Sequence, residues 1–152
     1  MWKVMIHPAT YESVRDAIDR TFEIFPLNLQ GKKVLVKPNV LRASETWEGI
    51  VTHPAVLRAL VEKVETMGPA SIIVGDNPGV FSYGANEESF RKTGLLDAAG
   101  PYYQNIGNDS MEVSFNPDFT DKVSVSRAVF EADIVISLPK FKTHGLPFAD
   151  FC

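Results

Sequence analysis

The sequence predicts an α/β domain, with a mainly parallel sheet, helices on its faces and Rossmann-like layering. Three apolar, β-branched runs each stop at a polar cluster: Val34-Leu35-Val36 at Lys37-Pro38-Asn39, Ile72-Ile73-Val74 at Gly75-Asp76-Asn77-Pro78-Gly79, and Ile134-Val135-Ile136-Ser137-Leu138 at Pro139-Lys140-Phe141-Lys142-Thr143-His144. A helical pattern separates the first two runs, and a strand, helix, strand crossover between parallel strands is almost always right-handed. Ligands of open α/β sheets bind just beyond the carboxyl ends of the strands, so the three clusters are expected along one rim.

Lys3 to Ile6 reads as a short opening strand. Tyr11 to Phe25 carries Val14, Ala17, Ile18, Phe22 and Phe25 at helical spacing, with Thr10 as N-cap and Glu12 in the first turn, where the dipole favours negative charge. Gly31 turns the chain into the strand Lys33 to Val36, whose continuous apolar run suits burial on both faces. A polar loop from Arg42 to Val51 leads to Pro54, whose fixed φ suits the first position of a helix running to Met67. Val56, Leu57, Leu60, Val61 and Val64 form its buried stripe, and Gly68-Pro69 stops it. Ile72 to Val74 is the second strand. Val80 to Gly84 reads as a loop, Asn86 as the cap of a helix from Glu87 to Lys92, and Leu95 to Ala99 as a further helical turn. Met111 to Phe115 and Lys122 to Val125 are candidate strands around a turn at Asn116-Pro117-Asp118. Ser126 to Ala132 reads as one or two helical turns before the strand Asp133 to Leu138.

At 152 residues the chain is sized for a single α/β domain. With 45% apolar and 22% charged residues it has the composition of a folded protein. Lys+Arg 15 against Asp+Glu 19 gives a net charge of −4 with no dense basic run, so a nucleic-acid partner is not expected. The apolar opening before His7-Pro8 is too short for a signal peptide or a membrane span, which makes cytoplasm the default address. Cys152 is the single cysteine, so the chain by itself builds no disulfide and no four-thiolate zinc or iron–sulfur site.

Lys37 and Asn39 put a cation and an amide at a strand lip, a pair suited to a carboxylate or phosphate; the plainer alternative is a solvated lysine and a turn-forming asparagine. Asp76 is a candidate metal ligand, hydroxyl acceptor or proton carrier, or else a turn residue bonded to its own backbone. The flanking glycines match no phosphate-cradling motif. If the third cluster stays extended, Lys140, Lys142 and His144 share one side beside Thr143, forming a candidate anion site in which His144 moves a proton near neutral pH; the alternative is an exposed basic loop. His53, just before Pro54, takes an N-cap position, and no His-x-x-His pattern supports a metal site.

The pieces VLVKPNV from Val34, THPAVLRALVE from Thr52, IIVGDNPG from Ile72, TGL from Thr93 and EADIVISLPKFKTHG from Glu131 resemble the domain-of-unknown-function family 362, in the family's order from about Gly31 to Gly145. Its members are often found in iron–sulfur proteins, and the family supplies no reaction. Members usually continue beyond Lys-Thr-His, many into cysteine-rich ferredoxin-like sequence, whereas here Leu146 to Cys152 follow; on the resemblance the chain reads as an amino-terminal, incomplete copy of a longer domain.

The leading expectation is a domain of an iron–sulfur-associated redox protein that binds a small anionic molecule through Lys37, Asn39, Asp76, Lys140, Lys142 and Thr143, with His144 beside them. This chain would hold no cofactor itself, and any 4Fe–4S cluster would sit on a missing segment or a partner chain. A homo-oligomer is the other expected association. One rival is an independent acid/base enzyme on a carboxylate or phosphate, with His144 or Lys142 carrying the proton and Asp76 orienting it. Another is a non-catalytic interaction domain or truncated remnant.

Overall fold

The computed structural model describes residues 3–78, 84–116 and 118–142. Its centre is β1 (Lys33–Pro38), with β2 (Ser71–Val74) on one side and β5 (Ile134–Leu138) on the other, both parallel to it. Val34 lies opposite both Ile72 and Ile134, and Val36 opposite both Val74 and Ile136. All three strands therefore end at the same edge.

One face of this sheet carries the main core. Val34, Val36 and Val74 pack with Leu57, Leu60, Val61 and Val64 of α2 (Pro54–Glu65), Phe90 of α3 (Asn86–Lys92), and Leu95, Ala98 and Ala99 of α4 (Leu95–Ala99). The expected α2 stripe is the buried one, except that Val56 is only half-buried and Ala59 is buried in addition. α1 (Val14–Ile24) lies against α2 through Ile18 and Phe22, with Lys63 2.7 Å from Asp19 and Arg15 paired to Glu62.

Among the described residues, the other face is thinly covered. Leu35 packs with Ile106 and with Ala128 of α5 (Arg127–Glu131), and Val135 of β5 remains 43% exposed. The expectation of burial on both faces holds for β1, while β5 alternates between half-buried and exposed positions. β3 (Ser110–Ser114) and β4 (Lys122–Ser126) form a separate antiparallel hairpin, with Ser110 opposite Ser126.

Three local expectations are corrected. Lys3 to Ile6 is not a strand; Val4 and Ile6 are exposed, and no described neighbour pairs with them. The first helix begins at Val14 because Thr10 and Ser13 bond each other, the Ser13 hydroxyl accepting from the Thr10 amide at 3.0 Å. Asn86 begins α3 without capping it, since its amide is turned into the interior. The loop expected over 80–84 lies outside the described residues except for Gly84.

The unequal faces give a test. Leu57→Ala, at a fully buried position, is expected to cost about 2–5 kcal/mol in urea unfolding. Val135→Thr on the exposed face is expected to stay within roughly 0.5 kcal/mol.

Candidate functional site

At the carboxyl edge, alternation along β1 puts Lys37 on the same face as Leu35, away from the main core. Its Nζ lies 2.8 Å from Oδ1 of Asp76, which is 4% exposed. The other carboxylate oxygen, Oδ2, accepts the Val40 amide at 2.7 Å. Asp76 can reach this place because Gly75 has no side chain. A Cβ there would come within 2.6 Å of Ile106 Cγ2 and 2.7 Å of the Gln104 carbonyl. Burial raises the Asp76 pKa, and the Lys37 charge, the Lys37 hydrogen bond and backbone amides of Val40 and Asn77 pull it back without cancelling the rise.

An amide network holds the Asp76 loop from behind. Asn86 Nδ2 donates to Asn105 Oδ1 at 2.7 Å and to the Asp76 carbonyl at 3.4 Å. Gly107 makes room for it, since a Cβ there would meet Asn86 Nδ2 at 2.6 Å and Asn77 Oδ1 at 2.8 Å.

Thr52 joins the ends of β1 and β5. Its buried hydroxyl accepts the Asn39 amide at 2.8 Å and donates to the Leu138 carbonyl at 2.6 Å, while its own amide donates to the Asn39 carbonyl at 3.0 Å. Beyond this clamp, Lys142 Nζ donates to Asn39 Oδ1 at 2.9 Å. Lys140 turns elsewhere, to 3.5 Å from the Tyr11 hydroxyl. The Tyr11 ring stacks on His53 at 3.6 Å, and His53 Nδ1 accepts the Ala55 amide at 3.2 Å, the capping role expected of it. Burial, then Lys140, lowers the His53 pKa, which keeps Nδ1 available as an acceptor.

Lys37, Asp76 and Asn77 line one side of a cleft of about 430 Å³, and Ser110, Ser124 and Ser126 of the β3–β4 hairpin line it with Ile106, Gly107, Val125 and Val129. Among the sequence-derived candidates, Lys37 pairs with Asp76 and Asn39 with Lys142, whereas Lys140 belongs to the Tyr11–His53 group. Thr143 and His144 lie outside the described residues. Thr52 and the three serines carry little signal in the sequence. Their only signals are a hydroxyl just before His53-Pro54 and serines recurring at every second position of a strand. Among the described residues, no group of three or more His, Cys, Asp or Glu side chains is placed to hold a metal ion.

Because the folded Asp76 pKa lies above 3.8, the folded protein holds that proton more tightly than the unfolded chain. Its stabilising contribution is complete below 3.8 and is lost as pH rises through the folded value. A carboxyl NMR titration is expected to give a midpoint above 3.8 for Asp76, and Lys37→Met to move it higher. Thr52→Val, which leaves a buried amide and carbonyl unpaired, is expected to cost about 1–3 kcal/mol, most of it recovered by Thr52→Ser; chemical denaturation reads both.

Comparison with known proteins places this chain in a family. The chain is 30% identical over 116 residues to the thylakoid-associated protein sll1697 of Synechocystis sp. (strain ATCC 27184 / PCC 6803 / Kazusa), across 76% of this chain and 35% of that protein. It thus spans about a third of the length of this relative. No solved structure matches it. The family model described as Domain of unknown function (DUF362) matches residues 34–148, which include β1 from Val34 onward, Thr52, Asp76 and β5, and the chain belongs to that family.

Proposed function

We propose that this domain binds a small anionic molecule in the cleft beyond the carboxyl ends of β1 and β2. One observation carries the reading: the cleft has more hydrogen-bond donors than its own acceptors use. An ammonium has three donors, and Asp76 takes one from Lys37, whose side chain remains 36% exposed. Both Asp76 oxygens already accept, one from Lys37 and one from Val40. The remaining Lys37 donors, the exposed side-chain amide of Asn77 and the serine hydroxyls suit a ligand rich in acceptors, such as a carboxylate or phosphate. Asn39 and Lys142 extend the site along the same edge, and Thr143 and His144 follow Lys142 in the chain, while Lys140 flanks it from the Tyr11–His53 group.

The wider role we assign is that of a non-cluster domain in a redox protein, with a 4Fe–4S cluster on another segment or on a partner chain. The support for this is the resemblance to iron–sulfur-associated family members. Among the described residues, no helix is long and apolar enough to cross a membrane, and the relative's printed name associates that protein with thylakoids. We favour a cytoplasmic location for this chain, within reach of a membrane surface.

A second reading is favoured by the burial of Asp76. A carboxyl whose pKa is raised in a cleft is suited to carrying a proton, with Lys142 or His144 assisting, in acid/base chemistry on a carboxylate or phosphate. The two readings share the cleft and differ in whether the ligand is turned over.

A thermal-shift series with inorganic phosphate and citrate tests the binding. At about 100 times the dissociation constant the expected stabilisation is about 2.7 kcal/mol, or roughly 5–10 °C for a domain of this size. Lys37→Ala is expected to abolish the shift and Lys142→Ala to reduce it. A shift that survives both substitutions unchanged refutes the assignment.

A further inference from the structure

We infer that the ligand of the Lys37–Asp76 cleft is a monocarboxylate with a compact apolar body, and that it enters together with one proton, which Asp76 takes. This rests on the anion reading above and narrows it.

The inference comes from counting charges. Among the described residues that line the cleft, Lys37 is the one cation and Asp76 the one anion, 2.8 Å apart, so the pair by itself is neutral. Lys37 of β1 is also the charged group that acts on Asp76. The other segments around that carboxyl present uncharged groups: the backbone amides of Val40 and Asn77, and Asn86 of α3 with Asn105 behind the loop.

A singly charged anion on the spare Lys37 donors brings a second negative charge close to the first. Two acceptors on one ammonium stand roughly 4–5 Å apart, a range at which a like charge strongly opposes ionisation. Asp76 is buried, with little water to screen it, and of the two carboxyl groups it is the one that burial already inclines to the neutral form. The proton comes from solvent and settles on Oδ1, because Oδ2 keeps the Val40 amide. The O–H formed there donates to the ligand carboxylate, Lys37 turns its ammonium to the same group, and the cleft is neutral again. A dianion would leave one charge uncompensated even after this proton is taken.

The rest of the lining fits a carbon body. Ile106, Val125 and Val129 supply apolar surface in a cleft of about 430 Å³, the size of a small-molecule site. Covering that surface with the alkyl part of an acid is favourable, whereas a polyanion finds no second cation among the described lining residues.

Isothermal titration calorimetry on the full chain tests this with isovalerate, a branched monocarboxylate, and sulfate, a dianion throughout the working range. Titrations at pH 6 in cationic buffers of unlike protonation enthalpy count the protons. About one proton, and no fewer than half, is expected to be taken up per isovalerate, with the affinity falling as pH rises from 6 toward 8 by at most about tenfold per unit. Sulfate is expected to bind about tenfold more weakly than isovalerate, or worse, at pH 7. Asp76→Asn, whose amide oxygen can still accept from Val40, is expected to lose the proton uptake and the pH dependence and to narrow the gap between the two probes. Should that variant fail to fold, the proton count and the affinity ratio of the unsubstituted chain decide alone. Isovalerate bound with no proton taken up, uptake that survives Asp76→Asn, or sulfate bound as tightly as isovalerate overturns the inference and leaves the anion site standing. Absence of binding by both probes overturns both readings.

Discussion

Thr52 stands 13 residues from Asn39 and 86 from Leu138, yet its hydroxyl accepts from the first and donates to the second. A hydroxyl can do both at once, which is what the ends of two neighbouring parallel strands require where their ladder runs out. β1 and β5 are fixed relative to each other at the point where the polar clusters begin. Everything beyond depends on that closure, including the Lys142–Asn39 bond and the turn of Lys140 toward Tyr11. The clamp also sits at the entrance to α2, where His53 caps the helix carrying most of the core's leucines and valines.

The Lys37–Asp76 pair is a different kind of interaction. Burial raises the Asp76 pKa despite the ammonium 2.8 Å away, so desolvation of the carboxylate outweighs the attraction it gains. Such a pair adds little to stability. Its surroundings nevertheless commit considerable structure to it: a glycine at 75 that no larger residue can replace without displacing Ile106, a backbone amide from Val40, and a buried asparagine holding the loop from behind. Polar arrangements that cost stability and are still held firmly in place concentrate at functional sites. That costly arrangement, and not membership of a family without an assigned reaction, gives the cleft its weight.

Among the described residues, the sheet is well covered on one face and sparsely on the other. The main core joins α2, α3 and α4 to one side of β1, while Leu35, Ile106 and Ala128 make a small second cluster opposite. The cleft lies on this sparse side, between the end of β1 and the hairpin, where space is left for a ligand.

The pattern of residues was enough to specify the α/β class, the three parallel strands, α2 with its buried stripe, and a carboxyl edge bearing Lys37, Asn39, Asp76, Lys140 and Lys142. Periodicity and β-branched runs report directly on burial, and burial is what those elements share. Local order failed as a guide where partners decide the outcome: Lys3 to Ile6 has a strand-like composition and no neighbour, and Asn86 has the chemistry of a cap but serves Asn105 and Asp76. Only the tertiary structure decided that β1 lies between β2 and β5, that Asp76 turns to Lys37 while Lys140 turns to Tyr11, and that the hairpin presents serines to the cleft. The reason is physical: strand order and side-chain pairing depend on contacts between residues tens of positions apart, and no local pattern of polarity encodes which of several equivalent cations a buried carboxylate will meet.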